Sequence, residues 1–127
     1  MIFIKGNFPS FKNSKQFTGK YFIVSKTVQK YLKKYEMHWM DIPDDFKNLK
    51  EEDFPVTVGL HFVRGTSHRW DFHNMVQGVA DLMVKHHWIP DDNMDYFIPQ
   101  VLYMDGKHYR YDKDNPGVWI KLVKKVH

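Results

Sequence analysis

The stretch PVTVGLHFVRGTSHRWDFHNMVQGVADLMVKHH, residues 55–87, contains a strand, a turn and a helix in that order. From Pro55 to Val63, Val56, Val58, Leu60 and Phe62 alternate with Thr57, Gly59, His61 and Val63, which is the two-residue period of a strand. Arg64-Gly65-Thr66-Ser67-His68-Arg69 follows as a polar, basic turn. From Phe72 to His87 the period changes to that of a helix. Phe72, Met75, Val76, Val79, Ala80, Leu82, Met83 and His86 share one half of that helix, and Asn74, Gln77, Gly78, Asp81 and Lys85 share the other. Asp71 stands at the N-cap position. His86, on the apolar half, reads as a core histidine. His87 faces elsewhere, because neighbours on a helix do not point the same way.

Upstream, Ile2–Phe8 reads as a first strand that Pro9 and a polar cluster bring to an end. Tyr21–Val24 is strand-like by composition. Ser25 is placed to cap a helix from Lys26 to Met37, with Val28, Tyr31, Leu32 and Tyr35 on one side. Lys26, Lys30, Lys33 and Lys34 lie mostly on the other side. The acidic stretch Asp41–Asp53 has little periodicity and reads as a loop or a partly ordered insertion. Downstream, Pro90–Asn93 is a turn. Strands are expected near Tyr96–Met104 and Gly117–Val126, with turns at Asp105-Gly106 and Asn115-Pro116-Gly117. No repeat or boundary divides the 127 residues, so they read as one domain with two main helices among several strands.

Hydrophobic residues make up 43% of the chain and aromatics 17%, a folded composition rather than a disordered one. No run approaches the roughly 18 apolar residues of a membrane span. The N-terminus lacks the layout of a signal peptide. Cysteine is absent, which excludes disulfides and thiolate metal sites and fits a reducing cytoplasm. The net charge is +4, unevenly placed. Residues 1–35 hold eight lysines and no acid, whereas residues 36–55 hold seven acids and two lysines. A block of one sign at the start suggests a polyanion partner, since lysine–phosphate contacts release condensed counterions. A solvated basic face is the other reading of the same block.

The residues with chemical potential lie between 71 and 92. Asp71 stands at the helix mouth, Asp81 on its polar face, and Asp91 and Asp92 in the turn beyond. Magnesium sites combine a few carboxylates with water and substrate phosphate. Such an ion activates water and stabilises charge on a phosphodiester. Each acid also has a purely structural use: Asp71 as a cap, Asp81 as a solvated polar-face residue, Asp91 and Asp92 as turn formers.

The run Arg69-Trp70-Asp71-Phe72-His73-Asn74, followed by Asp81 and by Asp91-Asp92, resembles the signature of the RusA-type Holliday junction resolvases. The opening Phe8-Pro9-Ser10-Phe11-Lys12-Asn13-Ser14-Lys15 resembles the same family, its phage-borne branch in particular. The resemblance spans about residues 7–35 and 56–125. It implies an α+β fold with a mixed sheet, acting as a homodimer without an organic cofactor. The implied activity is magnesium- or manganese-dependent cutting of four-way DNA junctions in the cytoplasm of a bacterial host, from a phage or prophage. Carried over by position, Asp71 matches the first motif acid, Asp92 the essential later acid, Asp81 and Asp91 the other two, and Asn74 the motif asparagine. Asp71, His73, Asp81 and Asp92 are the implied metal ligands. The expected DNA contacts are Lys12, Asn13, Lys15, Arg64, Arg69, Asn74, Gln77 and Lys85.

Two positions depart from the family pattern. His73 replaces a second aspartate; imidazole suits manganese and other transition metals better than magnesium. Gln77 replaces a lysine that would stabilise the leaving oxygen or the pentacovalent phosphate. These departures keep a branched-DNA-binding protein without catalysis open beside the nuclease. A protein-interaction domain, whose acids are only caps and turns, is the third reading.

Overall fold

The structure is a computed structural model that describes residues 1–11, 15–17 and 22–123. It is a small α+β domain built on a mixed five-stranded sheet. β1 (Ile2–Lys5), β7 (Gly117–Val123), β4 (Val56–Arg64) and β5 (Phe97–Val101) lie in that spatial order, and β6 (Arg110–Tyr111) pairs with the end of β4. β2 (Lys15–Phe17) and β3 (Phe22–Val24) form a separate antiparallel pair. β1 and β4 flank β7 antiparallel, with Ile4 opposite Val118 and Leu60 opposite Ile120. β5 runs parallel to β4, with Val56 opposite Phe97. Pro99, which has no N–H to donate, is tolerated in β5 because this strand lies at the end of the strand order.

Two longer helices join these strands. Ser25 caps α1 (Lys26–Tyr35) by accepting from Val28 N at 3.4 Å. Val28 and Tyr31 are buried, while Lys26, Lys30, Lys33 and Lys34 are exposed. Asp71 caps α3 (Phe72–Lys85), its Oδ1 accepting from His73 N at 2.9 Å. The helix then stops at His87, whose φ of 66° leaves helical space.

β4 is the central strand and is buried on both faces, rather than alternating between core and solvent. Val58, Leu60 and Phe62 meet the core beside α3. On the other face Leu102 packs on Gly59, and His61 Nδ1 donates to Leu102 O at 2.8 Å. The segment after β5 therefore covers a face that alternation alone would leave open. Burial pushes the His61 imidazole below its ordinary pKa. Its Nε2 is buried and has no partner.

Several expectations are corrected by packing. The first strand ends at Lys5, because Gly6 turns with φ 113° and its missing Cβ leaves room for the Tyr35 ring. The acidic stretch is not a loop throughout. It contains a short helix, α2 (Asp44–Lys47), and a 3-10 turn (Glu51–Asp53), held down by Phe46 against Trp88 at 5.3 Å. Gly78, placed by periodicity on the polar half of α3, is buried because the Phe11 ring lies on it. His86 is not a simple core histidine: it pairs with Glu36 at 2.8 Å.

Beside Phe46, the core gathers Trp39 and Trp88, joined by Trp88 Nε1 donating to Trp39 O at 2.7 Å. Trp39 Nε1 in turn donates to Tyr31 Oη at 3.0 Å, and burial pushes the Tyr31 phenol up. Among the described residues no helix is long and apolar enough to cross a membrane.

Candidate functional site

Where β4 ends, three parts of the chain meet around a cavity of about 650 Å³. The N-terminal loop contributes Asn7–Ser10. The end of β4 and the turn after it contribute Arg64, Thr66, His68, Arg69 and Trp70. The mouth of α3 contributes Asp71, Asn74 and Met75, and Thr27 borders the cavity from α1. The N-terminal loop is fixed there by two hydrogen bonds. Gly65 N donates to Asn7 Oδ1 at 2.9 Å, and Arg64 Nη1 donates to Phe8 O at 3.0 Å.

Arg64 is the unusual member. The sequence placed it in a solvated basic turn, but β4 runs one residue further than the apolar pattern, and Arg64 is its buried last residue, 7% exposed. Its guanidinium lies over the Trp70 ring at 5.5 Å. Burial pulls its pKa down, with Tyr109 opposing. No carboxylate among the described residues forms an ion pair with it. Arg69 and His68 are exposed beside it. Cation and acid thus share this cavity, with Asp71 the one carboxylate among its lining residues.

The remaining predicted residues spread along α3. His73 and Gln77 are exposed and do not line the cavity. Asp81 is half-buried, ten residues from Asp71, or about 15 Å along the helix. Lys85 is bound to Glu36 at 2.6 Å. Asp91 serves its own turn: Oδ1 accepts from Asp92 N at 2.7 Å, and Oδ2 accepts from Asn93 Nδ2 at 3.3 Å. Asp92 is exposed in that turn.

The parallel pairing of β5 with β4 keeps this turn away from the cavity. Asn93 O accepts from both Tyr96 N and Phe97 N, and Val56 N donates to Tyr96 O at 3.1 Å. The turn is therefore anchored at the start of β4. Phe72 instead lies near Phe62, six residues further along β4, about 20 Å at strand rise. Within one subunit Asp71 and Asp92 are thus on the order of 10 Å apart or more, too far for both to ligate one ion at about 2.1 Å. Among the described residues no three Asp, Glu or His side chains gather as a metal ligand set. Lys12 and Asn13 lie outside the described residues, as does the side chain of Lys15.

Sequence reasoning missed Asn7 and the burial of Arg64. One signal for the latter was available: the alternation gives way to two consecutive apolar residues, Phe62 and Val63, directly before Arg64. The side chains that line the cavity do not make a closed cage for an ion. One carboxylate and the Asn74 amide would leave most positions to water and phosphate, which is how magnesium is often held.

Comparison of the chain with family models, with curated proteins and with solved structures gives no match in any of the three.

Proposed function

We propose that this chain is a metal-dependent endodeoxyribonuclease for branched DNA, acting as a homodimer of the RusA type, with its chemistry at the mouth of α3. One observation carries the reading. The two sequence blocks that resemble the family, Phe8-Pro9-Ser10 and Arg69-Trp70-Asp71 with Asn74, lie about sixty positions apart yet border one cavity that also holds a buried, unpaired cation.

Arg64 and Arg69 hold the phosphate of the DNA backbone. Asp71, with the Asn74 amide, offers oxygen ligands to magnesium or manganese, which when bound supplies an activated water and neutralises charge on the phosphodiester. Thr27 brings the first turn of α1 to the cavity rim, so the exposed lysines 26, 30, 33 and 34 provide a bed for a DNA arm. A four-way junction presents two equivalent phosphodiesters, and a two-fold dimer presents two such cavities. The resemblance also gives roles to Asp81, Asp91 and Asp92, which this arrangement of a single subunit does not bring to the cavity.

The single carboxylate in the cavity, together with His73 and Gln77, favours one alternative: a protein that binds branched DNA without cutting it. The deciding experiment offers the protein a synthetic four-way junction and a linear duplex of the same sequence, in magnesium, in manganese and in excess chelator. The nuclease predicts paired, symmetric nicks in the junction with metal, and binding without cutting in chelator. Tight junction binding with no cutting in either metal establishes the alternative. Equal, weak binding of both DNAs overturns both readings.

A further inference from the structure

Arg64 is the sole buried Lys or Arg among the described residues. A desolvated cation is costly unless an anion or a full set of hydrogen bonds compensates it. Here Nη1 is used by Phe8 O, whereas Nε is buried with no acceptor. A guanidinium in this state keeps a charge that no carboxylate among the described residues pairs with, and the side chain borders an open cavity. Guanidinium edges match phosphate oxygens.

The neighbouring space narrows the ligand class. A second cavity of about 500 Å³ shares His68, Arg69 and Trp70 with the first. Its wall is aromatic: Tyr109 meets Trp70 edge-on at 5.1 Å, and His108 meets Tyr109 edge-on at 4.9 Å. Tyr109 is 37% exposed, so part of its ring is open to a ligand. Inorganic phosphate has no use for such a wall, whereas a nucleobase does, because rings of this kind stack on bases without regard to sequence.

We propose that the two adjoining cavities form a single nucleotide subsite, in which Arg64 takes a phosphate and Tyr109 with His108 takes an unstacked base. For its polymer the inference rests on the nuclease reading: the ligand is a DNA nucleotide whose base has left the helix, as at a junction centre or in a single strand. A base held inside an intact duplex presents no face to this wall.

The test is calorimetric titration of the full chain in excess chelator, where nothing is cut. The probes are inorganic phosphate, thymidine monophosphate, a short single-stranded oligothymidylate, and a duplex of equal length. The single strand is expected to bind more tightly than the duplex, and the nucleotide more tightly than phosphate. Tyr109→Ala should weaken the single strand about five- to hundredfold and leave phosphate binding unchanged. Arg64→Lys, which keeps the charge but loses the planar fork, should weaken phosphate and single strand alike. Should Arg64→Lys fail to fold, Tyr109→Ala on the partly exposed ring decides alone.

A single strand bound equally well by wild type and by folded Tyr109→Ala overturns the inference, as does binding of phosphate with no gain from the base. The nuclease reading fails separately. Base binding without any junction cutting leaves this inference standing, and junction cutting that is indifferent to both substitutions removes the inference alone.

Discussion

At the C-terminal end of α3, Glu36 meets Lys85 Nζ at 2.6 Å and His86 Nε2 at 2.8 Å. At the other end, Arg64 is more deeply buried than any of these groups, and no acid among the described residues forms an ion pair with it. The first end has settled its charge internally, near the packed rings of Trp39, Phe46 and Trp88. The second has left a cation uncompensated beside an open cavity. Charge satisfied within the fold contributes to holding the fold together. Charge left over marks where the fold expects something from outside.

The contrast can be broken first on stability. Trp88→Ala at the settled end removes a buried ring and its hydrogen bond to Trp39 O, and should cost about 3–5 kcal/mol. A fall in melting temperature of about 10 °C or more in a thermal scan is expected. Arg64→Met at the unsettled end should do the opposite. Exchanging an unpaired buried charge for an apolar side chain of similar length is neutral or stabilising by about 1–3 kcal/mol. The lost bond to Phe8 O gives back about 1 kcal/mol. The melting temperature should hold or rise, while phosphate binding falls. A clear drop would make Arg64 a structural residue and remove the contrast.

The smallest effect concerns Glu36. Burial alone would raise its carboxyl, but the hydrogen bonds from Lys85 and His86 outweigh burial and hold it below the ordinary glutamate value. A carboxyl depressed by folding adds stability above its unfolded pKa of about 4.3, and that stability is lost as pH falls through the folded value. Denaturant unfolding from pH 6 to pH 3 should show this acid loss in wild type. Glu36→Gln should show less of it, and a cost of under about 1 kcal/mol at pH 6, because Lys85 is half exposed.

Periodicity made β4 and α3 legible, since one stretch carried both periods in turn. It could not show what would cover the second face of β4. Leu102 does so from forty residues away, which is why Gly59 and His61 are buried where alternation exposed them. Arg64 was misplaced for a related reason: local polarity announced a turn, and the pairing of Val63 and Arg64 with β6 extended the strand. The site was legible in part. Arg69, Asp71 and Asn74 do line one cavity with the N-terminal loop. Spacing could not reveal the direction of β5, and that direction is what holds Asp91 and Asp92 at the far end of α3.

The two ends of α3 therefore make different claims on the chemistry. The resemblance implies an essential role for Asp92, whereas the proposed nuclease would use Asp71, the carboxylate that lines the cavity. Rates of four-way junction cutting in magnesium, for wild type, Asp71→Asn and Asp92→Asn side by side, test this directly. A loss of at least about a hundredfold is predicted for Asp71→Asn, the size of a removed catalytic group, against less than tenfold for Asp92→Asn. Asp71→Asn cutting at the wild-type rate, or Asp92→Asn losing as much as Asp71→Asn, would contradict a site contained at the mouth of α3.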